Sequence, residues 1–334
     1  MTPLLTFALI TTQLASAGVL ADKTMREPLS AREVERELIL GKGWLELGLG
    51  ADMKRANGYW GPDGEALDFD SASFLYTRER VQLRYGISSR SDLVLFVPFH
   101  YLQLTNDTLG TDTSGFYLGD PRMAWRWQPW TTGTAGSVKA VALIAEVKAP
   151  AGNEAPGSSI AGPSTFQEFV TTTGTYDARL GVETKAQRGN LAIGGQAGVV
   201  VSASNLAQFV VETDTNQFLG RIKPGNRVYA AVDLLAQLGP VALVVQPGVE
   251  AHGATRLGVS APGLFPGKDL APVEGSDGWS ADLDANLIVN VSRGLDLTLG
   301  VNLPLRGEDL MFFPLEDIHP TRGVTSSATL ELRY

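Results

Sequence analysis

The feature of this chain that most constrains its fold is an alternation of apolar and polar residues that begins near residue 43. In residues 323–334, for example, apolar residues such as Leu330 and Leu332 alternate with polar ones such as Glu331 and Arg333. We call these two sets of alternate positions the apolar and the polar parity. Successive side chains of a β-strand point to opposite faces, so the segment predicts a strand with one apolar and one charged face. A strand of this kind that ends on an aromatic ring, here Tyr334, is typical of the last strand of an outer-membrane barrel.

Earlier parts of the chain repeat the same alternation. With the terminal strand they predict an all-β fold, a transmembrane antiparallel β-barrel of about 12 strands, and an even number is what bacterial barrels prefer. The other predicted strands are residues 44–54, 74–85, 92–105, 118–128, 138–149, 175–186, 191–202, 227–238, 241–252, 279–292 and 295–306.

The connections between these strands alternate in length. Short periplasmic turns at one rim and long extracellular loops at the other are the outer-membrane arrangement, and a soluble sandwich has no reason to sort its loops in this way. Short connections are predicted at residues 86–91, 129–137, 187–190, 239–240 and 293–294. Long connections are predicted at residues 56–73, 106–117, 150–174, 203–226, 253–278 and 307–322.

The aromatic residues are sorted by height along the predicted strands. Rings at headgroup depth form two girdles around such barrels. The periplasmic group is Trp44, Tyr85, Trp125, Trp127 and Tyr334, and the extracellular group is Phe99, Tyr101, Tyr176 and Trp279. The alternative, a soluble barrel or sandwich with its charged parity in water, explains neither the girdles nor the sorted loops.

Composition narrows the function classes. The chain has 334 residues and no cysteine, which excludes disulfides, thiolate metal sites and cysteine nucleophiles. A net charge of -9 with scattered acids and bases disfavours binding to nucleic acid, which requires a basic face. Mean hydropathy is +0.02, as alternating strands give, and after the first stretch no uncharged apolar run of about 18 residues predicts a transmembrane helix.

The N-terminal region divides into two predicted parts before the barrel, residues 43–334. Residues 1–21 form a predicted signal peptide, although no basic residue precedes their apolar run, and a buried helix is the alternative. Residues 22–42 form a predicted periplasmic segment with a capping box at Ser30 and Glu33. A short helix outside the barrel, a plug in its lumen and a frayed tail all fit this segment.

Three blocks of the chain resemble motifs of a known family. They are LRYGISSRSDLVLFVP at 83–98, LGDPRMAWRW at 118–127 and AEVKAPAG at 145–152. They are similar to blocks of Gram-negative outer-membrane transporters associated with the meta-pathway of phenol degradation. This resemblance covers roughly residues 43–200 and implies a barrel that transports a small solute, without indicating which one.

The inward parity carries acids and bases in similar numbers. Such residues either line a water-filled lumen or form a structural network of ion pairs across a closed one. The inward residues Val94, Phe96 and Pro98 are the one sign of an apolar path. The candidate lumen residues are Glu46, Arg84, Phe96, His100, Asp120, Arg122, Arg126, Arg179, Asp233, Glu250, Asp282, Asp284 and Asp296.

Catalysis is not expected from this sequence. A lipid hydrolase would need a histidine beside a serine on the outer face, but parity turns His100 and His252 inward and places His319 in a loop. The carboxylates of residues 63–70 lack the spacing of a calcium loop. An autotransporter translocator is a further alternative, against which the missing long passenger argues.

The sequence thus predicts a bacterial outer-membrane channel or transporter for small solutes, with hydrophobic or aromatic cargo as one option. The alternative is a plugged structural or adhesive barrel that acts through its extracellular loops. Expected partners are outer-membrane lipid, lipopolysaccharide, a small-molecule solute and the barrel-assembly machinery, which would bind the strand ending on Tyr334. Neither nucleic acid nor any cofactor or metal is expected.

Overall fold

The structure is a computed structural model. It describes residues 30, 32–56, 58–61, 63–68, 72–106, 111–134, 136–152, 174–210, 217–259, 270–272, 276–308 and 321–334. The predicted signal peptide, residues 1–21, lies outside the described residues.

A closed barrel of twelve antiparallel strands forms the body of the protein and confirms the predicted fold class. Its strands are β1 Leu45–Ala56, β2 Ala72–Ser88, β3 Ser91–Asn106, β4 Arg122–Thr134, β5 Ser137–Lys148, β6 Asp177–Arg188, β7 Leu191–Ser202, β8 Arg227–Leu238, β9 Val241–His252, β10 Gly278–Ser292, β11 Leu295–Glu308 and β12 Thr325–Arg333.

Each strand pairs with its sequence neighbours, and the last strand closes the ring on the first. The β1–β12 register runs from Glu46 opposite Arg333 to Lys54 opposite Thr325. Closure leaves no strand edge in the ring, so the barrel can satisfy its backbone groups within a membrane. The turns at Gly239 and Gly294 are short, and by the usual arrangement that end of the barrel is periplasmic.

Side chains are distributed inside out relative to a soluble protein. Large apolar residues on the outer face are exposed, including Leu180 at 61% and Ile193 at 54%. By contrast, His100, Gln237 and Glu46 are among the largest fully buried side chains. An apolar outer band around a polar interior suits hydrocarbon outside and water inside, and the protein is therefore a bacterial outer-membrane barrel.

Aromatic rings cluster at the periplasmic end of the outer face. Trp125 and Trp127 stack with ring centroids 6.3 Å apart, and both are exposed, as are Tyr85 and Tyr334. Rings at this depth place one end in hydrocarbon and the other among headgroups.

The predicted bounds of the fourth strand are wrong. β4 begins at Arg122 rather than at residue 118, and it continues to Thr134 through a segment that was predicted to be a turn. The pairing of β4 with β5 shifts between Trp127 and Trp130. Pro129 cannot donate to the ladder, and a bulge accommodates it without ending the strand.

Several predicted loops carry strands of their own. Residues Thr111–Leu118 pair with the outer part of β3, and Gln217–Lys223 pair with Arg256–Val259. Residues Gly58–Trp60 pair with Ala66–Asp68 and also with Thr321–Arg322. The extracellular connections are therefore tied to one another.

Helix is almost absent from the described part of the chain. The capping box at Ser30 leads only to a single 3-10 turn, Glu33–Glu35, and the Ser30 hydroxyl donates to Glu35 at 2.8 Å. None of the helices found among the described residues has the length and apolar character needed to span a membrane.

Candidate functional site: the barrel lumen

The N-terminal segment, defined here as residues 32–41, crosses the periplasmic mouth of the barrel. At one side, the Val34 amide donates to the Gln237 side chain of β8 at 3.2 Å. At the other, the Leu40 amide donates to Asp92 of β3 at 2.6 Å. β3 and β8 lie on opposite sides of the twelve-strand ring, so the segment runs as a chord across it.

An ion-pair cluster anchors the middle of this chord. Arg36 contacts Asp296 of β11 at 2.5 Å, and Asp296 also pairs with Arg333 of β12. Arg333 contacts Glu46 of β1 at 2.5 Å. The Asp296 and Glu46 carboxylates are almost fully buried, so each depends on its arginine partner to offset the cost of burial.

Backbone carbonyls of the N-terminal segment provide further anchors. Arg84 of β2 donates to the Leu38 carbonyl at 2.9 Å, and Arg126 of β4 donates to the same oxygen at 2.5 Å. Lys185 of β6 donates to the carbonyls of Glu33 and Arg36 at 3.2 and 2.7 Å. Every residue has a backbone carbonyl, so these acceptors give no signal in the sequence. Only the inward-facing basic side chains that bind them can be identified there. This is where the structure places residues 32–41 of the predicted periplasmic segment.

The inward residues of β2 and β10 mark successive levels of the lumen, from its periplasmic end toward its extracellular end. Arg84 and Asn290 lie at the level of the N-terminal segment. One step further from the periplasmic end, Gln82 and Ile288 line a first cavity. Arg78 and, on β10, Asp282 and Asp284 line a second cavity beyond it. We call these the inner and outer cavities.

The inner cavity has a volume of about 320 Å³ and lies directly above the N-terminal segment. Phe96, Val244 and Ile288 give it an apolar part, and Gly48 and Gly50 leave its β1 wall free of side chains. The remaining lining is polar. The cavity can therefore contact both an apolar group and a hydrogen-bonding one.

The outer cavity has a volume of about 270 Å³ and a strongly charged wall. Its described lining contains five bases and five acids, so its total charge is balanced. The bases are Arg78, Arg122, Lys148, Arg179 and Arg227, and the acids are Glu146, Asp177, Glu250, Asp282 and Asp284.

Alternating charges form a ladder around the extracellular rim of this cavity. Lys148 lies 3.2 Å from Asp120 and 3.0 Å from Asp177. Arg227 continues the chain, at 3.7 Å from Asp177 and 3.6 Å from Glu250. Cross-strand pairs of this kind stabilise neighbouring strands and fix the shape of the rim.

Asp120 also joins two of the sequence blocks described above. Its Oδ1 accepts hydrogen bonds from the backbone amides of Ala151 and Gly152, both at 2.9 Å. Its other oxygen faces Lys148 of the same block. The Gly-Asp-Pro and Ala-Pro-Ala-Gly blocks therefore meet in space, because one carboxylate caps the loop that follows β5.

Ten of the thirteen candidate residues occupy three settings. Five line the outer cavity, Phe96 lines the inner one, and a third group holds the N-terminal segment or its anchors. The five are Arg122, Arg179, Glu250, Asp282 and Asp284. The third group is Arg84, Arg126, Asp296 and Glu46.

The other three candidates neither line a cavity nor contact the N-terminal segment. His100 is buried against Tyr76, whose hydroxyl lies 2.9 Å from its Nδ1. Asp120 is buried in the rim ladder, and Asp233 accepts a hydrogen bond from Gln246 at 2.5 Å. A fourth strand starting at residue 118 would have turned Asp120 into the lumen, but the strand begins after Pro121.

Other inward residues were not selected from the sequence. Tyr229 and Arg78 line the outer cavity, and Asp92 and Lys185 hold the N-terminal segment. Their parity along the strands was the available signal. Within the described ranges, no group of three or more acids and histidines is arranged to hold a metal ion.

Comparison with known proteins supports the fold. No protein-family model and no curated protein sequence matches the chain. The COG4313 outer membrane channel from Pseudomonas putida F1 aligns over 90% of this chain and 98% of its own, with a TM-score of 0.63 and 11% identity. At this identity the similarity shows a shared barrel fold, while the resemblance to the meta-pathway transporters stays a prediction.

Two further solved structures are similar at a coarser level. The TodX monoaromatic hydrocarbon channel aligns with a TM-score of 0.42 and 8% identity, over 88% of this chain and 90% of its own. The translocator domain of the autotransporter NalP from Neisseria meningitidis has a TM-score of 0.40 and 6% identity, with coverages of 88% and 90%. Similarity at this level carries no functional argument.

Proposed function

We propose that the barrel is a channel or transporter that passes a small solute through its lumen, with the N-terminal segment as its periplasmic closure. The observation that carries the proposal is the order of features along the lumen, in which two cavities are stacked above a chord of chain. A solute from outside would meet the outer cavity, then the inner one, and would leave once the segment moved.

The residues that line the lumen suggest the chemical character of the solute. Phe96, Val244 and Ile288 favour a solute with an apolar or aromatic part in the inner cavity. Polar atoms on every side also require hydrogen bonds or charge from it, because displacing water from such groups is costly without replacement. The favoured solute is thus small and has both apolar and polar groups.

The nature of the anchors supports a closure that can move. Val34 and Leu40 are bonded through backbone amides and Leu38 through its carbonyl, each to a side chain of the barrel. Water can replace these contacts when the segment leaves, and the Asp296 carboxylate then keeps Arg333 as its partner after losing Arg36.

A second candidate is a barrel in which the segment never leaves and the extracellular loops carry the function. The observation in its favour is the pairing among those loops, such as Gln217–Lys223 with Arg256–Val259. A surface built from paired loops could bind a partner without any passage through the lumen.

Conductance in planar bilayers distinguishes the two. We expect the full chain to show rare openings, and a deletion of residues 22–41 to raise the conductance, because the chord is removed while the strands remain. Both proteins are first compared by their migration in SDS with and without heating, which shows that the barrel is folded. Equal conductance in the two folded proteins would contradict the closure, and silence in both would favour the second candidate.

A further inference from the structure

Exposed basic side chains gather at the periplasmic end of the barrel. We call them the basic rim, and they are Lys42, Arg90, Lys139, Arg188 and Arg293, each in a turn or within three residues of one. No acidic side chain occurs in the described residues of these turns, which are 42–44, 87–91, 131–134, 136–139, 187–191, 238–241 and 291–295. Since the whole chain has a net charge of -9, the rim runs against its overall composition.

The acidic side chains near the periplasmic mouth already have partners. In the N-terminal segment, Glu35 pairs with Arg32 at 2.5 Å, and Glu33 pairs with Arg36. Glu37 also has an interaction partner. The inward carboxylates that pair with arginines at this end are Glu46, Asp92, Glu183, Asp296 and Glu331. None of the five rim bases forms an ion pair with any residue that the structure describes.

Two of the rim bases are close neighbours. Lys139 of β5 lies opposite Ala186 of β6, and Arg188 follows two residues later on the same face of β6. Diagonal neighbours of this kind are about 7–8 Å apart. The Gly189 amide donates to the Gly136 carbonyl at 2.7 Å, which holds the two turns together. Two like charges are therefore fixed side by side, where they repel each other.

This pair faces the membrane and not the lumen. Lys139 shares its parity with Leu143, which is 41% exposed, and Arg188 shares its parity with Leu180, which is 61% exposed. Trp130 of β4 lies on the same face, one outward step nearer the middle of the membrane, and is 46% exposed. A tryptophan ring at this depth marks the headgroup region, so both bases lie at the level of lipid phosphates.

We propose that Lys139 and Arg188 together bind the phosphate of an anionic phospholipid in the periplasmic leaflet. A phosphate accepts charge-assisted hydrogen bonds from both side chains and removes their repulsion. The acyl chains lie along the apolar outer face above the pair, where Leu191, opposite Arg188, is 63% exposed. The lipid stays outside the barrel, so this site does not depend on passage of a solute through the lumen.

The charge of the site selects among phospholipids. A zwitterionic headgroup brings a cation of its own toward two bases that have no acidic neighbour, whereas a glycerol headgroup adds no positive charge. The other three bases of the rim attract anionic lipid to this end of the barrel, because each basic side chain near a membrane surface favours it. The preferred ligand is therefore a phospholipid with a net negative charge.

Native mass spectrometry of the full chain in detergent measures this preference. The protein is titrated with phosphatidylglycerol and phosphatidylcholine that carry the same acyl chains, and the bound lipids are counted by mass. We expect phosphatidylglycerol to bind about tenfold more tightly, which is within the contribution of two basic side chains. Equal binding of the two lipids would overturn the proposal.

Paired substitutions locate the site. The double variant Lys139→Gln, Arg188→Gln should bind the two lipids equally, whereas Lys139→Arg, Arg188→Lys keeps both charges and should keep the preference. The matched control Lys42→Gln, Arg293→Gln removes the same charge from another part of the rim and should keep most of the preference. An equal loss in the control would mean that diffuse charge attracts the lipid, and the proposed site would be wrong.

Two further measurements separate a lipid from other anions. Glycerol 1-phosphate carries the phosphate without acyl chains, so a large excess of it should not displace phosphatidylglycerol. Displacement would show a phosphate site that needs no lipid and would contradict the proposal. Co-sedimentation with peptidoglycan that is lost in Lys139→Gln, Arg188→Gln, without any preference between the lipids, would assign the pair to an acidic periplasmic polymer and would also overturn it.

Discussion

At the scale of single residues, Asp296 shows how lumen charges hold the structure together. Its carboxylate is fully buried and pairs with Arg36 of the N-terminal segment and with Arg333 of the closing strand. Asn290 donates to it as well, at 2.8 Å. One side chain thus connects the N-terminal segment to the seam where the barrel closes.

Neutralising this residue should weaken both connections. Asp296→Asn keeps the shape but leaves two buried arginines short of a partner, and breaking a buried ion pair costs about 3–5 kcal/mol. We expect a lower temperature for the loss of the heat-modifiable band in SDS, and more frequent openings in planar bilayers.

A matched control is available in an exposed ion pair. Asp68 contacts Arg322 at 2.6 Å, with 73% of its side chain exposed. Since exposed pairs contribute about 0–1 kcal/mol, Asp68→Asn should change neither measurement. Equal behaviour of the two variants would contradict the role given to Asp296.

The sequence could identify the inward residues but not the groups that they meet. Parity alone turns Arg84, Arg126 and Asp296 to the inner face, because side chains alternate with a period of two. It does not predict that Arg84 and Arg126 both bind the Leu38 carbonyl, because every residue has the same backbone oxygen. Lining and anchoring residues therefore look alike before folding.

At the scale of elements, backbone hydrogen bonds hold the end of the closing strand against the first strand. Tyr334 exchanges backbone hydrogen bonds with Leu45, at 2.9 and 3.1 Å, and its side chain is 38% exposed on the outer face. Any residue could make the backbone bonds, so the ring must act elsewhere, in the membrane interface or in recognition during assembly.

Substitution of the ring tests the proposed contact with the barrel-assembly machinery. We expect Tyr334→Phe to assemble normally and Tyr334→Asp to lower the amount of folded protein in the outer membrane, as measured by the heat-modifiable band in membrane fractions. Tyr176→Asp, at an exposed ring of the opposite rim, is the control for interfacial anchoring alone. A similar loss in both aspartate variants would count against a specific contact at the terminus.

The strands were predictable because both their periodicity and their loops are regular. β8, β9 and the turn at Gly239 lie within a residue of expectation. The bulge at Pro129 and the strand Thr111–Leu118 were missed for opposite reasons. A proline within a strand predicts a turn, because the sequence does not show that pairing resumes beyond it. A strand outside the membrane needs no apolar face, so it lacks the alternation by which a strand is predicted.

At the scale of the whole molecule, one face of the sheet meets lipid and the other encloses the lumen. Ala231 lines the outer cavity, whereas the adjacent Val232 is 45% exposed on the outer surface. Because the chain has no cysteine, single thiols can be introduced at these neighbouring positions.

Thiol accessibility in membranes should differ between the two. We expect Ala231→Cys to react with a small water-soluble thiol reagent, and a fluorophore on Val232→Cys to be quenched by a lipid-phase quencher. The reverse pattern would mean that the charged face is the outer one, and that the protein is not a membrane barrel of this kind.

The position of the N-terminal segment across the lumen could not be predicted from the sequence. A helix, a plug and a tail all suited residues 22–42, because a segment held by backbone groups and one arginine needs no regular periodicity. Only the assembled ring brings Gln237, Asp92 and Asp296 within reach of it.

The most direct test is to lock the N-terminal segment in place. Val34 and Gln237 already touch, and Val34→Cys with Gln237→Cys would add the only two thiols in the chain. The anchoring pair of Arg36 with Asp296 is buried and salt screens it little, so we expect the wild-type channel to show only rare openings. The oxidised double variant should lose these openings and recover them on reduction, whereas neither single variant should respond to the oxidant. Equal conductance of the oxidised and reduced forms would contradict the account.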